Sequence, residues 1–379
     1  MGEPSKPDLG IYYEMLRSLP PKEPSLSFLS KEWPNVDGWR REAQQKTIEL
    51  MNFSPKNVAL NPSVDSTRIE EGLVIEEISY DMPYGPRTRG FFLYPKNEKR
   101  LPAMVALHDH GGFFYYGKEK IVDSGLQSKL LDKHKAQCYG GRSWANELAK
   151  RGFAVLVIDS FMWGSRKIPV ESMNEELLAP LEGPEPGSDD FIQAFNLFWD
   201  TIESPITLST VLASGATWPG ILFYEDQRSI DYLLTRSEID SQRIACGGLS
   251  GGGLRTVFLA GLDPRIKAAF CIGWMSTIGG LLRNHIHGNG LAMYVPHLLR
   301  FLDIPDVIAL RAPSPLLVQY DIDDGLFSLE GQKEADRKIS SIYGKMGNPK
   351  KYVGKFYPGR HKFDVEMQED AFKWLNETL

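Results

Sequence analysis

Cysteine is scarce in this chain of 379 residues, which contains three, at Cys138, Cys246 and Cys271. Three thiols are too few for a disulfide framework, and their odd number and apolar neighbours indicate reduced, buried side chains. We therefore expect a cytoplasmic protein without structural disulfides.

Runs of basic residues and long apolar runs are lacking as well. The formal net charge is −6 and lysine and arginine form no dense run, so the sequence has no basic field to neutralise nucleic-acid phosphates. No stretch approaches the roughly 20 apolar residues of a membrane-spanning helix, and the first ten residues do not have the pattern of a signal peptide. The sequence thus predicts neither nucleic acid nor a membrane as a partner.

The length is compatible with one large α/β core that carries insertions. Residues 1–70 contain several prolines and a helical pattern that begins near Asp37, and we interpret them as an N-terminal extension made of an arm and a helix. Residues 71–379 are interpreted as one domain. Within it, residues 160–217 mix turn-forming and aromatic segments and are long enough to cover a sheet as a lid or cap.

Apolar runs suited to buried strands alternate with helical patterns through the second half of the chain. The runs are PAMVALH, FAVLVIDS, RIACGGLS, IKAAFCIGW, SPLLVQYD and KYVGKFYPG. Upstream of them, LVIEEISYDM and TRGFFLYP flank the turn-rich PYGPR and predict an antiparallel hairpin. Strands buried on both faces and alternating with helices are typical of a parallel sheet that helices cover on both sides. The predicted fold class is therefore α/β, mostly parallel and doubly wound.

The segment CGGLSGGG, residues 246–253, places one serine among five glycines. Ser250 falls between a strand pattern and the helical pattern GGGLRTVFLAGL. Gly248 and Gly252 complete the motif G-x-S-x-G, in which small residues allow a sharp turn that exposes the serine hydroxyl. The helix start would direct its positive end and the N–H of Gly251 toward an oxygen that becomes negative during acyl transfer. We predict that Ser250 is a nucleophile and that Gly251 is an oxyanion donor.

A nucleophilic serine needs a base and an orienting carboxylate, which follow it in the order aspartate, histidine in this type of sheet. His361, in FYPGRHKFD, lies between the last predicted strand and the last predicted helix and is the predicted general base and acid. The strand SPLLVQY is followed by Asp321, Asp323 and Asp324, and alternation after a strand end does not decide which of them faces the histidine.

Together these motifs resemble the α/β-hydrolase superfamily, and in particular its dienelactone hydrolase and acetyl xylan esterase-like group. The resemblance covers about residues 70–379 and is carried by LHDHGGFFYYGKEK, VIDSFMWGSRK, CGGLSGGG, APSPLLVQYDIDDGLF and PGRHKFDVEMQEDAFKWL. It implies that Asp324 is the acid, with Asp321 where the family usually has glycine and Asp323 as the alternative acid. It also implies a second oxyanion N–H in the loop HDHGG, from His110 or Gly111.

The resemblance further implies that residues 71–379 are the catalytic domain of a serine hydrolase that cleaves carboxylic esters. Acetylated carbohydrates are one implied substrate class, and a homo-oligomer is one implied assembly. Two alternatives stay open, a prolyl oligopeptidase-like peptidase and a non-catalytic binding protein of the same fold. The lack of an obvious propeller-sized N-terminal region counts against the peptidase.

Two histidine pairs, in HDH at 108–110 and HIH at 285–287, have a spacing that can chelate a metal ion. No matching cluster of cysteines or carboxylates accompanies them, so the sequence predicts no metal site. The proposed ester chemistry also requires no cofactor.

Overall fold

The computed structural model describes residues 6–96, 100–289 and 291–379. A nine-stranded sheet in these ranges has the order β1-β2-β3-β5-β4-β6-β7-β8-β9. The strands are β1 (Ser63–Glu70), β2 (Leu73–Tyr80), β3 (Thr88–Pro95), β4 (Leu101–Leu107), β5 (Ala154–Ile158), β6 (Ile239–Leu249), β7 (Ile266–Ile272), β8 (Leu316–Asp321) and β9 (Tyr352–Tyr357).

The sheet is antiparallel at one end and parallel through the rest. β1 pairs antiparallel with β2, β2 pairs antiparallel with β3, and β3 pairs antiparallel with β5. The pairs from β5 through β4, β6, β7 and β8 to β9 are parallel. The prediction of a mostly parallel α/β sheet with an upstream hairpin is confirmed.

Helices cover both faces of this sheet. They are α1 (Tyr13–Arg17), α2 (Val36–Met51), α3 (Lys129–Tyr139), α4 (Trp144–Ala149), α5 (Asp189–Ile202), α6 (Ser209–Ala213), α7 (Trp218–Leu233), α8 (Gly251–Leu262), α9 (Ile278–Leu281), α10 (Ile304–Ala309), α11 (Leu329–Lys345) and α12 (Val365–Thr378). The central strand β4 shows why both faces need cover. Val105 belongs to the buried cluster that contains residues of α7 and α8, whereas Met104 and Ala106 belong to the cluster that contains residues of α4 and α12. Successive strand residues point to opposite faces, so a strand that is apolar throughout is buried on both.

Residues 160–217, between β5 and α7, form the insert. It contains short 3₁₀ turns, the helices α5 and α6, and a π-helical turn at Glu203–Leu208. The aromatic side chains of α5 repeat at helical spacing, and Phe195, Phe198 and Trp199 are buried in one cluster. The insert shares this cluster with Phe114 and Trp218, which lie outside it. The insert thus packs through an apolar cluster that continues into the residues around it.

In the described ranges, no single helix has both the length and the apolar composition needed to cross a membrane. The segments Asp189–Ala213 and Trp218–Leu233 meet those two criteria when they are taken together, but they are bent by 81° at the break between them.

Candidate active site

Ser250 lies at the junction of β6 and α8, at the carboxyl edge of the sheet. Its backbone has φ 58° and ψ −120°, a conformation that a residue with a side chain rarely adopts and that costs free energy. The neighbouring glycines are required by close packing. A β-carbon at Gly248 would lie 2.1 Å, and one at Gly252 2.2 Å, from the carbonyl oxygen of Leu107 at the end of β4. The motif therefore holds the serine on a turn that packs directly against the next strand.

His361 and Asp324 meet at the same edge, from the loops that follow β9 and β8. The Nδ1 atom of His361 lies 2.6 Å from Oδ2 of Asp324, whose side chain is fully buried. The other carboxylate oxygen of Asp324 accepts the N–H of Leu326 at 2.9 Å. Burial lowers the pKa of His361, but the hydrogen bond and negative charge of Asp324 outweigh it, so that the net pKa is raised. Asp324 is therefore placed to fix the orientation of the His361 imidazole through Nδ1.

The other two aspartates of the β8 loop have different partners. Asp323 is exposed, and its Oδ2 accepts the N–H of Gly359 at 2.9 Å. Asp321 is buried, and its Oδ2 accepts the N–H of Lys362 at 3.1 Å. Burial raises the pKa of Asp321 to about 7. Of the two acids that the sequence left open, the structure brings Asp324 and not Asp323 to His361.

Ser250 and His361 line the same groove, which has a volume of about 420 Å³. Within the described part of the chain, no hydrogen bond joins their side chains, and Nε2 of His361 is buried without a protein partner. Such catalytic hydrogen bonds are often long before substrate binds. Gly273, which follows β7, has φ 55°, and a β-carbon there would lie 2.8 Å from Cδ1 of Leu249 and 3.3 Å from Cε1 of His361.

The loop HDHGG follows β4 and approaches the start of α8. A β-carbon at Gly251 would lie only 2.8 Å from the backbone nitrogen of His110, so this amide is next to the serine turn. A β-carbon at Gly111 would lie 2.3 Å from Oδ2 of Asp109, so this position requires glycine. Neither the N–H of His110 nor that of Gly251 donates to an acceptor among the described residues. Two free N–H groups at one place are what an oxyanion site needs.

The histidine rings of the HDH pair are held in hydrogen bonds. Nδ1 of His110 accepts the N–H of Gly112 at 3.0 Å, so the proton is on Nε2, which donates to Glu203 of the insert at 2.8 Å. His108 donates from Nδ1 to the carbonyl oxygen of Asp109 at 2.9 Å, and burial lowers its pKa to about 3. Both rings therefore help to hold the loop.

The second pair has other partners. His285 lies near the carbonyl oxygen of Gly325. His287 is exposed beside Asp8 and lines the same groove as Ser250. The described residues do contain one group with ligand atoms within 4.8 Å of one another, formed by Asp321, Asp324 and His361. Two of its members are the hydrogen-bonded pair described above.

The chain has the α/β-hydrolase fold. In this fold a strained serine follows a central parallel strand, and an aspartate and a histidine lie in loops at the same edge of the sheet. No protein-family model matches the sequence. The protein named "Putative hydrolase YtaP" of Bacillus subtilis (strain 168) is 24% identical over 346 residues, which are 90% of this chain and 100% of that protein.

Solved structures resemble the chain over nearly its whole length. A crystal structure from Bacteroides fragilis NCTC 9343, described as a putative acetyl xylan esterase, has a TM-score of 0.71 and 18% identity and covers 98% of this chain and 95% of its own. A glucuronoyl esterase from Solibacter usitatus has a TM-score of 0.64 and 14% identity and covers 95% and 99%. At these identities the likeness establishes the fold.

Two residues beside the groove have no signal in the sequence pattern. Glu203 contacts the HDHGG loop from the insert, and Lys120 lies fully buried beneath that loop. Charged residues are mostly exposed, and a single sequence does not distinguish a buried lysine or glutamate from an exposed one. The sequence therefore could not identify either residue.

Proposed function

We propose that the chain is a carboxylic ester hydrolase in which Ser250, His361 and Asp324 form a catalytic triad. One observation carries this proposal. Ser250, with its strained backbone, lines the same groove as His361, and Nδ1 of His361 lies 2.6 Å from the buried carboxylate of Asp324. The resemblance to structures described as esterases supports the reaction class.

The reaction follows from these groups. Nε2 of neutral His361 takes the proton of Ser250 as its Oγ bonds to the ester carbonyl carbon, and the carbonyl electrons move to the oxygen. The N–H groups of Gly251 and His110, with Gly111 as the alternative to His110, stabilise that oxyanion. His361 returns the proton to the departing alcohol, which leaves an acyl-serine. Water then attacks the acyl-serine by the same steps and releases the acid.

A small cavity beside the oxyanion site favours short acyl groups. It has a volume of about 30 Å³ and is lined on its apolar side by Trp163, Trp218, Leu222, Leu254 and Ala292. It shares Gly251 and His110 with the larger groove. We therefore propose that an acetyl group enters the small cavity and that the alcohol part of the ester, such as a sugar, occupies the groove.

The test is hydrolysis of p-nitrophenyl esters from acetate to octanoate, and of an acetylated sugar, by wild type, Ser250→Ala and Ser209→Ala. Ser209 is an exposed serine of the insert and controls for the loss of a hydroxyl elsewhere. We expect Ser250→Ala to lose at least about a thousandfold in kcat. We also expect the acetate ester to be preferred.

Full activity of Ser250→Ala would show that the triad is assigned wrongly. A wild-type protein that hydrolyses no ester would contradict the esterase proposal, and peptide substrates would then test the alternative use of the same groups. An optimum at long acyl chains would contradict the role of the small cavity while leaving the triad intact.

A further inference from the structure

Lys120 is a fully buried lysine directly beneath the HDHGG loop. Its ammonium donates to the carbonyl oxygen of Asp109 at 2.8 Å and to the carbonyl oxygen of His110 at 2.8 Å. A buried ammonium is costly unless it is bonded and paired, and the Asp109 carboxylate lies 3.6 Å away. The chain thus holds a cation against the backbone of the loop that borders Ser250.

The two carbonyl groups belong to the two peptide units that contain the amides of His110 and Gly111. In a trans peptide the C=O and N–H point in opposite directions, so a cation at the oxygen lies on the side away from the N–H. The amide of His110 is the one next to Gly251. Whichever of the two amides serves as the oxyanion donor, Lys120 lies at the carbonyl end of its peptide unit.

We propose that Lys120 is a positioning residue of the oxyanion site, which orients and polarises the peptide unit between Asp109 and His110 so that its N–H binds the oxyanion more strongly. This inference rests on the proposed ester hydrolysis. Hydrogen bonds to a carbonyl strengthen the donor capacity of the N–H in the same peptide, and a water-poor interior increases the effect.

The surroundings support a polarising role as well as a packing role. The carbonyl oxygen of Asp109 also accepts a hydrogen bond from Nδ1 of His108, so two donors converge on it. The Asp109 carboxylate is in turn bonded by Tyr139 and His134. Burial alone would raise the pKa of Asp109, but the charges of Lys120 and His134 hold it well below its usual value. Asp109 is therefore ionised and able to pair with the buried ammonium.

Lys118 offers a matched control in the same 3₁₀ turn. It is also buried, and its ammonium bonds the carboxylates of Asp159 at 2.7 Å and Glu119 at 2.5 Å. Among the described residues, its ammonium does not bond the carbonyl groups of the HDHGG loop. Lys118→Met therefore removes a buried, paired ammonium without changing the partners of the peptide units at His110 and Gly111.

The experiment compares wild type, Lys120→Met and Lys118→Met in p-nitrophenyl acetate hydrolysis and in inhibition by a boronic acid that forms a tetrahedral adduct on serine. Removal of a whole oxyanion donor costs about a hundredfold to a thousandfold in kcat. For Lys120→Met, which weakens a donor, we expect about a tenfold to hundredfold loss of kcat, a similar loss of boronate affinity and a KM within about twofold of wild type. Lys118→Met should lose thermal stability but keep boronate affinity.

Equal kcat and boronate affinity in the two variants would overturn the inference, because the loss would then come only from an emptied buried site. If Lys120→Met does not fold, Lys120→Gln replaces the ammonium by a neutral amide that keeps two N–H donors. A kcat equal to wild type in that variant would overturn the polarising role of the Lys120 charge. Ser250→Ala separates the two proposals. If it stays active, or if wild type hydrolyses no ester, the proposed function fails and this inference fails with it.

Discussion

The carboxyl edge of the sheet and the insert that borders it are built in different ways. At the edge, backbone groups approach within contact distance, as where the carbonyl oxygen of Leu107 lies between Gly248 and Gly252. In the insert, short turns and α5 pack through aromatic side chains such as Phe195 and Trp199, and Leu197 stays 68% exposed. The edge is therefore determined by main-chain geometry, while the insert is determined by the packing of side chains.

This difference assigns different roles to the two regions. Reacting groups must be held to a fraction of an ångström, which rigid strand ends supply better than side-chain packing does. Packed side chains can be exchanged for others of similar volume at modest cost. We expect substitutions at the edge to affect the chemical step and substitutions in the insert to affect the groove and its access.

The largest expected effect at the edge comes from Asp324→Asn. An asparagine amide has one oxygen, so it cannot accept the N–H groups of both His361 and Leu326, and it has no charge to stabilise the imidazolium. We therefore expect kcat to fall about a thousandfold to ten-thousandfold. Asp323→Asn is the matched control. Among the described residues, the Asp323 carboxylate bonds only the N–H of Gly359, and an amide oxygen can accept that N–H instead. Steady-state kinetics of both variants test this, and a larger loss in Asp323→Asn would reverse the assignment.

A second variant tests the close approach of main chain at the edge. In Gly252→Ala the new β-carbon would lie 2.2 Å from the carbonyl oxygen of Leu107. We expect the free energy of unfolding to fall by about 1–3 kcal/mol and kcat to fall at least about tenfold, because the turn at Ser250 must shift. Gly344→Ala in α11 is the control, since that position has open space and alanine should be neutral or slightly stabilising. Denaturant unfolding and kinetics measure both, and equal stability of the two variants would contradict the packing argument.

Glu203 connects the two regions, because it accepts the Nε2–H of His110 from the π-helical turn of the insert. In Glu203→Ala this partly buried ring nitrogen loses its partner, and we expect about a tenfold loss of kcat, corresponding to about 1.4 kcal/mol. Glu203→Gln retains an acceptor oxygen and should stay within about threefold of wild type. If both variants lose activity equally, the negative charge rather than the hydrogen bond is what the loop needs.

The smallest expected effect is a change in pH dependence from Asp321→Asn. His361 must be neutral to act as a base, so activity rises as pH increases through its pKa, which Asp324 chiefly, and Asp321 in addition, raise. Removal of the Asp321 charge should move the acid limb of kcat/KM toward lower pH. An unchanged limb would show that Asp321 does not influence His361.

Asp321→Asn should also change how the free energy of unfolding depends on pH. Burial raises the pKa of Asp321 from 3.8 to about 7, so the folded protein binds this proton more tightly than the unfolded chain and loses stability as pH rises between these values. Asp321→Asn should therefore be most stabilising, relative to wild type, above pH 7. Thermal unfolding at pH 5 and pH 8 tests the sign of this difference.

Two elements of the fold, β1 and α3, could not be predicted from the sequence. β1 was not predicted because seven of its eight residues are exposed, so it has no alternation of apolar residues to reveal it. The helix α3 (Lys129–Tyr139) was not predicted because it buries few side chains, Leu131 and His134 among them, within a mostly polar segment. β1 is held by antiparallel pairing with β2, which follows it directly in the chain, and not by apolar burial of its own.

The sequence by itself determined the alternation of buried strands and helices, the turn at Ser250 and the position of His361 after the last strand. These features depend on local patterns, in which residues a few positions apart decide whether a strand, a helix or a sharp turn forms. Only the tertiary structure decided that Asp324 rather than Asp323 meets His361, and that Lys120 lies beneath the HDHGG loop. Such contacts join loops and turns from separate segments, and their distances depend on how the whole sheet and its connections pack, which no local pattern records.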